Sequence, residues 1–134
     1  MIVGLLDDMA VSSAARSREA QARVSPAELL DHCRRVPAAP PLRLSADGFD
    51  LIAELKLRSP ALGDLSAQTI DPVARLADYA QGGAALCSIL TEPTRFDGRL
   101  EHLRVAADAL RALGVPVMRK DFLVHAYQVR EARA

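Results

Sequence analysis

The sequence has neither an excess of charge nor a long apolar run, and each absence excludes a class of function. Its 17 basic and 17 acidic residues cancel, so no electrostatic field draws the chain to nucleic acid or to an anionic membrane surface. No apolar stretch approaches the roughly 20 residues that a membrane-spanning helix needs. A small metabolite is therefore the expected partner.

Signals for secretion and for metal binding are also missing. The N-terminal segment MIVGLLDDMA has no positive region before its apolar residues, which argues against a signal peptide. Cys33 and Cys87 lie far apart in unlike contexts, as expected for free thiols in a reducing cytosol. His32, His102 and His125 share no spacing typical of a metal site or a nucleophile pair. We expect a cytoplasmic protein without a metal ion.

Residues 1–50 are predicted to form a helical extension and a connector. Apolar residues at helical spacing predict a helix over residues 2 to about 22. Ser25, Pro26 and Glu28 then predict the capped start of a second short helix. Prolines end that helix, and the rest of the segment is expected to connect it to a scaffold that the extension covers.

Residues 51–134 alternate between predicted strands and helices. Strands linked through helices imply a parallel sheet with right-handed crossovers, since a tight turn cannot join parallel neighbours. Both an open doubly wound sheet and a closed barrel fit this alternation. The predicted elements are strands from Leu51, from Ala84 to Leu90 and from Val115, and helices after Asp71, from Leu100 to Leu110 and from Ala126 to Ala134.

Polar residues follow all three predicted strands, which favours the barrel. Barrel enzymes assemble their sites from several strand ends, whereas an open sheet concentrates its site at one switch point. No GxGxxG or GxxxxGK[ST] motif indicates a nucleotide site. We therefore predict that residues 51–134 are the first three strand–helix units of a TIM (β/α)8 barrel. The polar pairs are Glu54 with Lys56, Thr91 with Glu92, and Lys120 with Asp121.

The stretch LIAELKLRSP, residues 51–60, carries the strongest signal of a site. Glu54 and Lys56 are two residues apart in an otherwise apolar predicted strand, so they share one face. A buried strand of a parallel sheet is normally apolar throughout. Lys120 follows a second apolar stretch in the same manner. The alternatives are a solvated strand end for each lysine and a structural ion pair for Glu54.

Three segments resemble the first three strand-end motifs of indole-3-glycerol phosphate synthase. They are IAELKLRSP, SILTEPTRFDG and VPVMRKDFLVHAYQVREARA, in the family's order and spacing. The resemblance implies a TIM barrel that converts 1-(2-carboxyphenylamino)-1-deoxyribulose 5-phosphate into indole-3-glycerol phosphate in tryptophan biosynthesis. It implies a decarboxylating ring closure with no organic cofactor or metal.

The resemblance also implies a role for each matched residue. Lys120 would be the general acid of ring closure. Lys56 would hold the substrate carboxylate and take part in proton transfer at dehydration, and Glu54 would orient and charge-balance both lysines. The remaining implied residues are Leu90, Phe96 and Phe122, which would form a flat slot for the aromatic ring, and Ser59, which would position the substrate or its phosphate.

Plainer interpretations stand beside these roles. Phe96 and Phe122 could be ordinary core residues. Glu92 is interpreted as a loop carboxylate with no role in the chemistry, and Asp121 as a group that fixes the local backbone or a neighbouring lysine.

Two departures from the family pattern bear on function. Leu57 and Ala61 stand where the family usually has a basic residue and a serine, so the first loop would bind its substrate through different contacts. The family's general-base glutamate, an asparagine and the main phosphate site lie on later strands of a barrel of about 250 residues. We therefore expect the isolated chain to have no turnover.

Other functions remain open at this stage. The chain could be an inactive half-barrel or an interaction module that self-associates through open sheet edges or recruits a chain with the missing strands. A related phosphate-binding barrel isomerase is a further alternative. It would be expected to carry an aspartate, not a Glu-x-Lys pair, at its first strand end.

Overall fold

The chain forms two compact units in the computed structural model, which describes residues 2–59, 61, 63–65 and 71–134. One unit is helical and combines the residues up to Pro37 with Phe122–Ala134, and the other, Ala38–Asp121, contains the sheet. None of the described helices is long and apolar enough to cross a membrane. The elements are α1 (Ile2–Arg23), α2 (Pro26–Arg35), β1 (Leu51–Leu55), β2 (Arg58–Ser59), β3 (Gly63–Asp64), α3 (Pro72–Gln81), β4 (Ala84–Leu90), α4 (Pro93–Phe96), α5 (Leu100–Arg111), β5 (Val117–Lys120) and α6 (Ala126–Arg133).

The helical unit begins as the sequence predicts, with α1 followed by a capped α2. Ser25 Oγ accepts a hydrogen bond from the Glu28 backbone N–H at 3.3 Å, and Glu28 Oε2 accepts one from the Ser25 N–H at 2.8 Å. This capping box satisfies two donors that the first turn of a helix leaves open. Both predicted N-terminal helices are confirmed.

Polar contacts from α6 fix the helical unit. Tyr127 is buried, and its Oη lies 2.8 Å from the carbonyl oxygen of Val24, just beyond the end of α1. The buried Gln128 Nε2 donates to Ser13 Oγ at 2.8 Å, while its Oε1 accepts from the His125 backbone N–H at 3.1 Å. These bonds attach the segment that follows β5 to α1.

The sheet unit contains three parallel strands in the order β1-β4-β5. Helix α3 lies between β1 and β4 in the chain, α5 lies between β4 and β5, and the two helices contact each other and β4. The order of the described strands shows no reversal, unlike that of an open doubly wound sheet. Strands β2 and β3 form a short antiparallel hairpin after β1. Pro60, the last residue of the stretch LIAELKLRSP, lies outside the described residues.

Apolar side chains of α3, β4 and α5 form the core of the sheet unit. Asp71 caps α3 as predicted, with Oδ1 accepting from the Val73 N–H at 3.1 Å. Asp97 turns the chain after α4 with a positive φ of 53°. Five core side chains are at most 1% exposed: Leu76, Cys87, Ile89, Ala106 and Leu110.

Two expectations about the strands are wrong. The first strand is not buried throughout, since Leu51 and Ile52 are 53% and 60% exposed. In the described part of the chain, β4 is its one strand neighbour. The third strand begins at Val117 and not at Val115. Pro116 has no N–H to donate to a ladder, although its carbonyl accepts a bond from the Cys87 N–H at 3.1 Å.

Candidate active site

Strand pairing places the predicted charged residues at one end of the sheet. Glu54 pairs in register with Ser88 on β4, and Leu90 pairs with Lys120 on β5. Parallel strands present their carboxyl ends at the same edge, and residues two apart on a strand share a face. Glu54, Leu90 and Lys120 therefore face one space, and Lys56 follows directly after β1.

One carboxylate holds both lysines. Glu54 Oε1 lies 3.2 Å from Lys56 Nζ, and Glu54 Oε2 accepts a hydrogen bond from Lys120 Nζ. The side chains are 25% exposed for Glu54, 31% for Lys56 and 53% for Lys120. Each ammonium group is thus held by the Glu54 carboxylate and is still open to solvent. A group that binds a substrate needs both properties.

The environment of Glu54 keeps its carboxylate ionised. Partial burial raises the pKa of Glu54, but hydrogen bonds from Lys120 and Lys56 and the positive charge of both amines outweigh it, so the pKa is lowered overall. At neutral pH the group is an anion that can orient ammonium groups and cannot donate a proton. Any acid chemistry at this position must come from the amines.

Leu90 and Phe96 lie on neighbouring elements. Leu90, the last residue of β4, is 6% exposed, and Phe96, the last residue of α4, is half-buried. Glu92 connects the two elements because its Oε1 and Oε2 accept from the Thr94 and Arg95 backbone N–H groups at 2.9 and 2.7 Å. Its side chain is fully buried. Glu92 is therefore a helix cap as well as part of the loop.

Ser59 and Phe122 lie further along the chain. Ser59 is the buried last residue of β2, and its Oγ accepts from the Ala61 N–H at 3.3 Å. Arg58 beside it is 3.7 Å from Asp97, at the end of α4. Phe122 is half-buried and begins the second stretch of the helical unit. The structure thus joins Glu54 with both lysines and describes Phe122 in a separate unit.

The sequence interpretation did not foresee a buried ion pair near the site. Asp121 was expected to fix the local backbone or a neighbouring lysine, and its Oδ2 lies 3.1 Å from an Arg119 guanidinium nitrogen and accepts from Thr91 Oγ1 at 3.1 Å. Arg119 and Asp121 are only 5% and 1% exposed. The sequence did contain a signal for this pair. Arg119 and Asp121 flank Lys120, and successive residues of a strand point to opposite faces, so both belong on the face opposite the lysine.

Composition holds a second missed signal. Lys56 and Lys120 are the only lysines of the chain, and the other fifteen basic residues are arginines. Arginine stays protonated in proteins, whereas lysine can exchange a proton when its environment is tuned. Both amines that could take part in proton transfer are bound to the same carboxylate.

Among the described residues, no three side chains of histidine, cysteine, aspartate or glutamate cluster in a way that could hold a metal ion. Cys33 and Cys87 are free thiols, as expected, and burial raises the pKa of Cys87. Neither thiol forms part of the Glu54 cluster.

Comparison with known proteins identifies the family. Residues 8–134 match the sequence profile described as indole-3-glycerol phosphate synthase. A protein of that name from Streptomyces griseus is 42% identical over 135 residues, covering 98% of this chain and 48% of the relative. One from Saccharopolyspora erythraea is 48% identical over 107 residues, covering 75% of this chain and 38% of the relative.

The chain spans about half the length of these curated relatives, and the match covers nearly all of the chain. The family fold is a TIM barrel, and the three parallel strands with their helices are part of such a barrel, as predicted. The chain therefore belongs to the indole-3-glycerol phosphate synthase family.

Proposed function

We propose that this chain supplies the lysine–glutamate part of an indole-3-glycerol phosphate synthase active site. The substrate would be 1-(2-carboxyphenylamino)-1-deoxyribulose 5-phosphate, and the products indole-3-glycerol phosphate, carbon dioxide and water. The observation that carries the proposal is the Glu54 carboxylate, which contacts both Lys56 and Lys120 at the ends of two different strands. The family and its relatives' names support the same reaction.

Lys120 acts as the acid of ring closure. The new carbon–carbon bond joins the ring carbon that bears the carboxylate to the carbonyl carbon of the sugar, and the carbonyl oxygen needs a proton as the bond forms. Glu54 cannot supply it because its lowered pKa keeps it ionised at neutral pH. The ammonium of Lys120, held by Glu54 and more than half exposed, can reach a bound carbonyl.

Lys56 holds the carboxylate that leaves as carbon dioxide. Its ammonium lies 3.2 Å from Glu54 Oε1, so the anionic partner it binds in the free protein resembles the group it would bind in the substrate. After decarboxylation Lys56 assists proton transfer as the hydroxyl leaves as water. Glu54 orients the two amines and balances their charge through both steps.

The aromatic ring of the substrate lies against apolar side chains. Leu90 pairs in register with Lys120, and Phe96 ends the short helix that follows. We assign both to the slot. The family resemblance implies Phe122 for it as well. Ser59, on the hairpin after β1, positions the substrate or its phosphate.

Turnover requires more of the barrel than these 134 residues. The resemblance assigns the general base and the main phosphate site to later strands, and the relatives are about twice as long as this chain. Among the described strands, β1 and β5 each have one neighbour. We propose that their open edges pair with further strands, from the same polypeptide or a partner, and that the chain alone self-associates. Its free thiols fit a cytoplasmic setting.

The direct test is product formation by a closed barrel that contains this chain. One design joins it to the part of the Streptomyces griseus relative that lies beyond the match, and indole-3-glycerol phosphate is measured with purified protein. We expect turnover from the joined protein, none from the 134 residues alone, and loss of turnover in Lys56→Met.

Arg104→Met is the matched control, since Arg104 is an exposed cation on α5 that pairs with Glu101 and Asp108. It should leave turnover unchanged. Full activity of Lys56→Met would overturn the role of Lys56, and an inactive, folded closed barrel would overturn the proposed function. Sedimentation of the isolated chain as a stable monomer would contradict self-association.

A further inference from the structure

Three buried side chains form a closed polar triangle beside Lys120. Arg119 Nη2 lies 3.1 Å from Asp121 Oδ2, Arg119 Nε donates to Thr91 Oγ1 at 3.2 Å, and Thr91 Oγ1 donates to Asp121 Oδ2 at 3.1 Å. The Arg119 and Asp121 side chains are 5% and 1% exposed, and Thr91 is 3% exposed. We call these three residues the strand-end triangle.

The strand-end triangle lies on the opposite side of β5 from the Glu54 cluster. Lys120 comes between Arg119 and Asp121, and successive residues of a strand point to opposite faces. Lys120 Nζ contacts Glu54, whereas its two neighbours contact Thr91. Both residues that flank the lysine are thus anchored on the face that the lysine does not use.

The backbone of Lys120 is also fixed by Thr91, the residue that follows β4. The Thr91 N–H donates to the Lys120 carbonyl oxygen at 2.9 Å, so Thr91 binds β5 through its main chain and its side chain. An ion pair buried this deeply persists only with good geometry and further hydrogen bonds. The hydroxyl of Thr91 supplies such bonds to both charged partners.

The triangle's location suggests a role in aiming Lys120. The lysine side chain is long and 53% exposed, so its own packing restrains it little. Its direction therefore depends on the backbone from which it starts. The charges of Arg119 and Asp121 cancel, so the strand-end triangle acts on Lys120 through geometry and adds no net charge beside it.

We propose that Thr91, Arg119 and Asp121 are positioning residues that aim the Lys120 ammonium at Glu54. The structural part of this inference concerns the chain alone, and its catalytic part rests on the proposed function. Loosening the triangle should let Lys120 leave Glu54 while Lys56 stays in place.

The experiment uses nuclear magnetic resonance of the full chain labelled with ¹⁵N-lysine and with ¹³C-glutamate. The original chain has two lysines, so two side-chain amine signals report on Lys56 and Lys120 separately, and Arg119→Lys adds a third signal to these. The variants are Thr91→Val, which keeps the ion pair, and Arg119→Lys, which keeps the charge but loses the fork that reaches both partners. Lys120→Met is the reference variant, because it shows how far the pKa of Glu54 changes when the Lys120 ammonium is removed completely.

We expect the pKa of Glu54 to rise in Thr91→Val and Arg119→Lys toward its value in Lys120→Met, with the Lys56 signal unchanged. Thr94→Val is the matched control, because Thr94 also bonds a carboxylate, that of Glu92, but lies outside the triangle. It should titrate as the original chain does.

Unchanged Glu54 titration in both variants would overturn the proposal. An unfolded Thr91→Val variant would overturn it too, since the strand-end triangle would then be needed for folding and not specifically for positioning Lys120. If only Arg119→Lys fails to fold, Thr91→Val decides.

The catalytic arm uses the closed barrel. Thr91→Val should lower kcat by the order of ten- to a hundredfold, the range expected for a misplaced catalytic group, with KM nearly constant and with no further loss in a Lys120→Met background. Unchanged kcat would refute the catalytic part. A closed barrel without any turnover would refute the proposed function, while the titration of Glu54 would still decide whether the triangle aims Lys120.

Discussion

Replacing Gly98 with alanine should destabilise the sheet unit by distorting the end of β4. A Cβ atom at this position would lie 2.3 Å from the Leu90 carbonyl oxygen and 2.6 Å from the C and Cα atoms of Thr91. All three are backbone atoms that cannot rotate away, and real Cβ contacts essentially never fall below 3.0 Å. The Leu90 oxygen must therefore move by roughly 0.7 Å or the Gly98 loop must retreat. Overpacking of this kind typically costs about 1–3 kcal/mol.

Urea unfolding of the chain, followed by circular dichroism, measures this cost. Gly4→Ala is the control, because a Cβ on Gly4 in α1 meets nothing within 4 Å. It should raise the free energy of unfolding by about 0.5–1 kcal/mol, as alanine does in a helix. Gly98→Ala should lower it by about 2 kcal/mol. Equal unfolding midpoints for Gly98→Ala and the original chain would refute the close approach.

Two further predictions concern the site face of the sheet. Glu54 should stabilise the chain above its ordinary pKa of 4.5. Because its pKa is lower in the folded state, that stabilisation should disappear as the pH falls from about 4.5 through the folded-state value. Urea unfolding across this range should give Glu54→Gln a flatter pH profile, and parallel profiles would contradict the role of the two lysines. Ser88 Oγ is buried without a hydrogen-bond partner in the described part of the chain. Since an unsatisfied hydroxyl costs about 1–3 kcal/mol, Ser88→Ala should raise the thermal midpoint of the chain, and a lower midpoint would show that this hydroxyl has a partner.

The sequence was sufficient to predict most elements of the fold. The capping box at Ser25 and the cap at Asp71 are local signals, since the atoms involved lie within three residues of one another, and both are present. The TIM-barrel prediction rested on the alternation of strands and helices and on polar strand ends. It is confirmed because strand order and family agree.

What sequence reasoning missed depends on long-range geometry. The exposure of Leu51 and Ile52 reflects which neighbours β1 has, and an apolar run cannot report that. The contact of Asp121 with Thr91 requires the register between β4 and β5, because the two residues are 30 positions apart in the chain. Charge patterns along one strand predicted that Glu54 and Lys56 share a face, whereas the grouping of Lys120 with Glu54 came from the family resemblance and the structure has the two side chains in contact.

The roles of the site residues stay proposals, and Lys120 is the most informative of them. The structure accounts for its position through Glu54 on one face and the strand-end triangle on the other. If Lys120 is the acid of ring closure, its loss should affect the chemical step more than binding, because Lys56 and the apolar slot would still hold the substrate.

The most direct test of this account is therefore the turnover of Lys120→Met in the closed barrel, with substrate affinity measured alongside. Loss of a general acid should lower kcat by about 10²–10⁴-fold, while the dissociation constant of the substrate changes little. Turnover close to that of the unmodified barrel would remove Lys120 from the acid role and contradict the central claim.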